Sequence, residues 1–257
     1  MRVHFFSSPL ILTVIAGLGA PGCGATRGLG GARSPAAQAS MRIIPAGSVS
    51  SALASGAWRR VELLSFAVDR VAVTVRDYWD YTASRRVAPP LADREDGVPE
   101  ALRRAHAWDG ATPPARYLGH PMVGVSHAEA RAFCAWRGAR LPTAHEWERA
   151  VYGEDSRPFP WGEVVDPSRV NSAELGAGDT VPVLTHPRAL GPFDVADGAG
   201  HILEWTDTPG AEAGTRVVMG SSWRDPLAPR APAAPSVRAD GTRSLTLGFR
   251  CVRDVRP

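Results

Sequence analysis

Two short helical segments near the middle of the chain, with few helix signals elsewhere, restrict the fold more than any other feature. In VSHAEARAFCAWRG, Ser126 is the expected N-cap, Glu129 completes a capping box and Gly138 is expected to end the helix. LPTAHEWERAVYG repeats this pattern with Thr143 and Glu146. The segments that follow are short, apolar and separated by Gly and Pro. Two helices among irregular β structure predict an α+β domain and not a layered α/β one.

The residues before these helices carry strand signals and one weaker helix signal. MRIIPAG and WRRVELLSFAVDRVAVT place β-branched and apolar residues in partial alternation with polar ones, which is typical of strands. Thr74 followed by Asp77 predicts the capped start of a short helix that reaches Tyr81. Residues 83–118 are rich in Pro, Arg and Asp, and we expect a long surface excursion with one helix near 99–106.

The N-terminus has the pattern of an export signal. MRVHFFSSPLILTVIAGLGAPGC begins with a basic residue, continues with an apolar run that is too short to span a bilayer, and ends in small residues before Cys23. Small residues before a cysteine resemble the lipobox of bacterial lipoproteins, so lipidation of Cys23 is expected, with plain secretion as the alternative. We therefore divide the chain into a signal segment (1–22), a Gly- and Ala-rich flexible tether (23–40) and a domain (41–257) exported to the bacterial cell envelope, on its periplasmic or outer-membrane face.

Composition excludes some functions. The hydrophobic fraction of 44% suffices for a sizeable core, and the 29 basic residues are all arginine, so a lysine Schiff base or lysine general base is excluded. The arginines are dispersed among 26 acidic residues and form no basic run, and the net charge is only +3. Nucleic acid is therefore not an expected partner.

Export decides how the two cysteines that follow Cys23 are interpreted. In an oxidising compartment, Cys134 and Cys251 are one available pair. Neither has a second cysteine nearby or the histidine spacing of a zinc site. A structural disulfide is the favoured interpretation.

Three further motifs each have a catalytic or metal-binding interpretation and a structural one. Ser126 in VGVSHA loosely resembles a nucleophile elbow, but a helix N-cap explains the serine fully. His145 in AHEWE lacks the second histidine of a metalloprotease helix. Asp197 and Glu204 bracket the Gly-rich loop DGAGHILEW, where oxygen ligands could hold calcium, although an aspartate that caps its own turn is common.

Six separated motifs in order resemble the sulfatase-modifying-factor domain, the family of the formylglycine-generating enzyme. They are HPMVGVSHAEARAFCAWRGARLPTAHEWERAVYG, FPWGE, NSAE, GPFDVADGAGHILEW, RVVMGSSW and LGFRC, which together cover roughly residues 41–254. The resemblance implies a variant of the C-type-lectin-like fold that is poor in regular secondary structure. It also implies a disulfide between Cys134 and Cys251, as in some exported members.

The family's calcium loops carry over unevenly. The resemblance implies that DGAGHILEW is a calcium loop in which Asp197 and Glu204 supply carboxylates, and Gly200 and Ile202 supply carbonyls. His201 stands where the family has Asn, at a position that supplies no ligand. The family's other calcium loop, which would begin near Asn171 and Ser172, is shortened and lacks an evident Asp at its far end, so we expect no metal there.

The largest departure from the family lies in GSSWRDPLAPR. In the oxidase members, Gly-Gly-Ser and an aromatic residue lead into two cysteines, five residues apart, that bind copper(I). Soft thiolates suit copper(I), whereas carboxylate and guanidinium groups do not. The two positions fall on Asp225 and Arg230, so copper is not expected. We expect the turn to be kept for the fold, with Ser222, Trp223, Asp225 and Arg230 along a rigid, Pro-braced groove.

These residues favour a non-oxidase member of the family that is exported and lipid-anchored, and that binds a protein, peptide or glycan or serves an envelope structure. One alternative is a formylglycine-generating oxidase acting on a sulfatase cysteine, which the fold resemblance favours and the missing thiolates oppose. Another is a different enzyme that uses Asp225 as acid or base, although Asp225 before Pro226 is typical of a turn.

Overall fold

The structure, a computed structural model, describes residues 41–53, 57–90, 98–155, 157–230 and 236–255. The predicted signal segment, the tether and Cys23 lie outside these ranges. The helices are α1 (Val75–Arg85), α2 (Glu100–His106), α3 (His127–Trp136) and α4 (Ala144–Tyr152), and 3₁₀ turns cover Ala115–Tyr117 and Pro167–Arg169. None of these helices has the length and apolarity that a bilayer crossing requires.

Reciprocal capping boxes start three of the helices, as the sequence predicts. Thr74, Ser126 and Thr143 each accept a hydrogen bond from the backbone N–H three residues later, and the acidic residue there accepts one from the N-cap backbone. These bonds satisfy donors that a helix start leaves free. Oγ of Ser126 accepts from the backbone N–H of Glu129 at 3.4 Å, so its capping role is confirmed. Helix α1 extends past the predicted end at Tyr81 to Arg85.

Short strands form three separate sheets. The strands are β1 (Met41–Ile44), β2 (Gly47–Ser51), β3 (Arg59–Leu63), β4 (Phe66–Asp69), β5 (Leu203–Pro209), β6 (Thr215–Gly220), β7 (Val237–Ala239), β8 (Leu247–Gly248) and β9 (Val252–Asp254). Their orders are β1-β4-β9, β2-β3 and β7-β6-β5-β8, with only the β5–β8 pair parallel in the described part of the chain. The predicted α+β class is confirmed.

The larger hydrophobic cluster packs α1 and α3 against the four-stranded sheet. Phe133, Trp205 and Phe249 are fully buried in it, and the indole N–H of Trp205 donates to the Val125 carbonyl at 2.9 Å. The predicted disulfide is present: Cys134 and Cys251 lie 117 residues apart in sequence, with their Cα atoms 5.6 Å apart. The disulfide ties α3 to the residue before β9, which fixes the C-terminal strand to the helical side of the core.

A second cluster packs α4 against the β1-β4-β9 sheet through Trp147, Phe66 and Val252. The loop before β5 approaches α4 so closely that a Cβ on Gly198 would lie 2.6 Å from the side chain of Val151. Only glycine allows this approach. As a result, the loop at residues 197–204 lies directly on α4, next to the turn that ends β6.

Candidate functional site

The turn that follows β6 is fastened to the 197–204 loop. Gly220 has φ 87°, a conformation that glycine adopts without strain. The N–H of Gly200 donates to Oγ of Ser221 at 2.8 Å, and the N–H of Trp223 donates to the His201 carbonyl at 3.0 Å. The indole of Trp223 is buried and donates to the Leu245 carbonyl at 3.3 Å. The Gly-Ser-Ser-Trp turn therefore belongs to the interior of the domain.

Asp225 closes its own turn. Its Oδ2 accepts hydrogen bonds from the backbone N–H and the hydroxyl of Ser222, both at 2.7 Å, and its carbonyl accepts one from the N–H of Ala173 at 3.0 Å. Ser222 is itself buried. A carboxylate that bonds back to its own segment is typical of a turn residue. The geometry favours the structural interpretation of Asp225 over a catalytic acid or base.

Arg230 is buried between two aromatic rings. The carbon of its guanidinium group lies 4.5 Å from the ring centroid of Trp58 and 4.7 Å from that of Tyr152, and Nη2 donates to the Ser50 carbonyl. Its side chain is only 8% exposed, and burial lowers the pKa of Arg230 from its ordinary value. Of the four predicted groove residues, Ser222, Trp223 and the Arg230 side chain are therefore buried, and Asp225 is half-buried.

The surroundings of Arg230 contain several polar atoms without hydrogen-bond partners among the described residues. Arg230 Nε lies 3.7 Å from Oε1 of Glu148, which is beyond hydrogen-bonding distance. Arg230 Nε and Nη1, Glu148 Oε2 and His145 Nδ1 are buried without a hydrogen-bond partner among the described residues, and His145 Nδ1 lies 3.5 Å from Glu148 Oε2. Within the described ranges, no three His, Cys, Asp or Glu side chains, His145 included, are placed together to hold a metal ion.

The predicted calcium loop contains a buried ion pair. Glu204 Oε1 accepts from Nη2 of Arg250 at 2.6 Å, and its Oε2 accepts from Nε of Arg250 at 2.6 Å and from the indole N–H of Trp147 at 2.8 Å. Both side chains of the pair are at most 1% exposed. Asp197, at the start of the loop, has φ 58° and accepts at Oδ2 from the N–H of Leu184 at 2.9 Å.

This arrangement does not fit the four-ligand calcium site that the resemblance implies. Arg250 neutralises the Glu204 carboxylate and occupies both of its oxygens, so a divalent cation there would face a guanidinium group at contact distance. The structure thus gives Asp197 and Glu204 separate partners. Arg250 was not predicted as a site residue, because GFR served only as one motif of the family resemblance. A single arginine among the apolar residues of LGFRCV is the signal that predicts a buried partner.

Asp179 is a second residue that the sequence analysis missed. The amide of Asn171 donates to the Asp179 carbonyl at 2.9 Å, so an aspartate does lie at the far end of the shortened loop. Its carboxylate turns away from Asn171 and accepts from His106 Nε2 and from the hydroxyl of Tyr117, both at 2.7 Å. The contact joins α2, the 3₁₀ turn at Ala115–Tyr117 and the loop, which no local pattern in the sequence indicates.

Comparisons with known proteins agree with the architecture. The model of the family "Sulfatase-modifying factor enzyme 1-like domain" matches residues 30–255. The chain is 32% identical over 240 residues to the inactive C-alpha-formylglycine-generating enzyme 2 of Mus musculus, covering 76% of this chain and 77% of that protein. It is 30% identical over 271 residues to the formylglycine-generating enzyme of Thermomonospora curvata, covering 77% and 85%.

Among solved structures, PvdO from Pseudomonas aeruginosa superposes with a TM-score of 0.65 at 20% identity, covering 84% of this chain and 94% of that one. At this identity the likeness shows the fold, which is the C-type-lectin-like variant that the sequence motifs imply. An enzyme and a protein named inactive are similar to the chain to nearly the same degree. Overall similarity therefore leaves the activity to be judged from the site.

Proposed function

Because the chain belongs to the family of sulfatase-modifying factor proteins, we propose that it is a non-oxidase member that acts by binding, held at the cell envelope through Cys23. The observation that carries this proposal is the environment of Asp225 and Arg230, the residues at the two predicted copper positions. Asp225 caps its own turn and Arg230 is buried between Trp58 and Tyr152. Neither side chain is a soft ligand for copper(I).

The remaining cysteines support the same conclusion. Cys134 and Cys251 are joined in the disulfide, so neither offers a thiolate. A structural disulfide also favours an oxidising compartment, in agreement with the export signal. The partner we expect is a protein, peptide or glycan of the envelope, bound on a scaffold in which Asp225 and Arg230 contact neighbouring protein groups.

The decisive experiment incubates the full chain with copper(I), oxygen and a peptide that carries a sulfatase-type cysteine, and then measures the peptide mass for the aldehyde. We expect no conversion, while an oxidase member treated in parallel converts the peptide. The matched variant is Asp225→Cys with Arg230→Cys, which restores both thiolates. We expect it to bind copper(I) more tightly than the unaltered chain. Conversion by the unaltered chain would overturn the proposal.

The envelope location is tested separately. Cys23→Ser is expected to move the protein from the membrane fraction to the soluble exported fraction, because it removes the residue that would carry the lipid. The control is Ser34→Ala, which changes the tether and keeps Cys23. A Cys23→Ser protein that stays in the membrane fraction would refute lipid attachment at this residue.

A further inference from the structure

A cavity on the side of the domain that carries α2 has no role in the proposed function. It is open to solvent and has a volume of about 590 Å³, within the range of about 300–1,000 Å³ that is usual for small-molecule sites. Its lining combines the apolar side chains of Leu102 and Ala105 in α2 with Arg116, Tyr117 and Asp179. Apolar residues with a few polar groups are the usual composition of a ligand site.

The carboxylate at this cavity is already engaged. Asp179 accepts from His106 Nε2 and from the Tyr117 hydroxyl, both at 2.7 Å, and from the N–H of Thr180 at 2.6 Å. Burial opposes its ionisation, but the hydrogen bonds from His106 and Tyr117 outweigh burial and hold the pKa of Asp179 below its ordinary value. Asp179 therefore serves to fix the Tyr117 ring and is poorly placed to attract a cationic ligand.

The second charge at the cavity is not engaged in the same way. The guanidinium carbon of Arg116 lies 4.8 Å from the centroid of the Tyr117 ring, and Nη2 approaches the Ala105 carbonyl only at 3.5 Å. Neither of these two contacts of Arg116 is with a carboxylate. The guanidinium group also interacts with the Tyr117 hydroxyl. An arginine has five N–H donors, so these contacts leave donors for a ligand.

Tyr117 is a stable support for this arginine. Burial and the neighbouring Asp179 raise the pKa of Tyr117 to about 12, so its hydroxyl stays protonated and keeps its bond to Asp179 at neutral pH. The imidazole of His106 stacks on the Tyr117 ring, and the two ring centroids are 3.9 Å apart. The platform under Arg116 is therefore fixed by contacts from two directions before any ligand arrives.

We propose that this cavity binds a monocarboxylate with a small apolar body. The carboxylate would take two parallel hydrogen bonds from Arg116, the geometry that suits a guanidinium group. The apolar body would lie against Leu102 and Ala105 of α2. Two sources offer this chemistry, a free organic acid and the C-terminal residue of a peptide. The site uses none of the residues of the copper segment, so it stands whether or not the chain is an oxidase.

The test titrates three probes into the full chain and follows binding by ligand-observed NMR: N-acetyl-leucine, its neutral amide, and a peptide that ends in leucine with a free carboxylate. We expect N-acetyl-leucine to bind with a Kd on the order of 1 mM or tighter. The amide is expected to bind roughly tenfold more weakly or worse, because it cannot form the charge-assisted pair. Tighter binding of the peptide than of N-acetyl-leucine would identify the C-terminal residue of a peptide as the ligand. Tighter binding of N-acetyl-leucine would identify a free organic acid as the ligand.

The variants decide whether Arg116 is the anchor. Arg116→Gln is expected to weaken N-acetyl-leucine roughly tenfold, with Arg116→Lys intermediate. The matched control is Arg76→Gln, because Arg76 is also exposed and lies over an aromatic ring, that of Trp79 at 5.5 Å, but outside this cavity. Equal binding of acid and amide, equal loss in both Gln variants, or no binding at about 10 mM would each overturn the proposal. Unchanged melting temperatures of the variants confirm that they fold.

Discussion

Two buried arginine–glutamate pairs involve α4, through Trp147 beside Glu204 and through Glu148, and they are built very differently. Arg250 and Glu204 form a bidentate pair with both distances at 2.6 Å, and Arg250 makes further hydrogen bonds to the carbonyls of Asp69, Arg70 and Ala196. Arg230 and Glu148 approach only to 3.7 Å, and several of their buried polar atoms have no hydrogen-bond partner among the described residues. Buried charges stabilise a fold only when such bonds are complete.

The difference separates two kinds of buried arginine. Arg250 and Glu204 lie in the LGFRC and DGAGHILEW motifs, on which the family resemblance rests. Arg230 lies in GSSWRDPLAPR, the segment in which that resemblance predicts the copper-binding cysteines of the oxidase members. Of these two pairs, only Arg250 and Glu204 are joined by direct hydrogen bonds between their charged groups.

The largest expected effect breaks the complete pair. Arg250→Met leaves the Glu204 carboxylate buried without its cation, and we expect the free energy of unfolding to fall by about 3–5 kcal/mol. Denaturation in urea, followed by circular dichroism, measures the loss. Arg157→Met is the control, since Arg157 pairs with Asp155 near the surface and such pairs contribute about 1 kcal/mol or less. Similar losses in the two variants would mean that the Arg250 pair is not a framework element.

A smaller effect is expected at the incomplete pair. Arg230→Met alone should cost about 1–3 kcal/mol, because the buried Glu148 carboxylate then keeps only His145, at 3.5 Å, as a neighbouring group that can be cationic. Adding Glu148→Gln should bring the free energy of unfolding back to within about 1 kcal/mol of the unaltered chain, since the double variant removes unpaired charged groups. The same denaturation measurement applies. A double variant as unstable as Arg250→Met would contradict this expectation, because it would mean that Arg230 and Glu148 make stabilising interactions equal to those of the complete pair.

The smallest effect concerns pH and a framework histidine. Burial lowers the pKa of His127, which packs edge-on against Trp205. Between this lowered value and the ordinary value of about 6.5, the unfolded chain binds a proton that the folded chain does not. The free energy of unfolding should therefore fall as pH drops below about 6.5. We expect His127→Gln to reduce this fall when denaturation is compared at about pH 7.5 and about pH 5.5.

The remaining slope in that variant is expected to come from His120 and His201, whose pKa values burial also lowers. Carboxyl groups with lowered pKa values, such as Glu129 and Glu146, contribute only at more acidic pH, where their protonation begins. An unchanged slope in His127→Gln would show that this histidine is accessible to protons in the folded state.

Local patterns in the sequence predicted the helix starts well. Thr74, Ser126 and Thr143 cap helices because the hydroxyl and the acidic partner lie three residues apart, a relation that needs no other part of the chain. The disulfide was predictable for a different reason, because few cysteines were available and the family resemblance paired them. The site was predicted less well, since Ser222, Trp223 and Arg230 were expected along a groove and are buried.

By itself, the sequence determined the α+β class, the helix caps, the family and the absence of cysteine at positions 225 and 230, since each of these depends on residue identity and short-range spacing. Only the tertiary structure decided that Arg250 takes the carboxylate of Glu204, that Arg230 enters an aromatic cleft, and that Asp179 fixes Tyr117 beneath Arg116. These contacts join segments that are tens of residues apart. Their partners are chosen by burial, because a charge removed from water must take whichever counter-charge and donors the fold brings within reach.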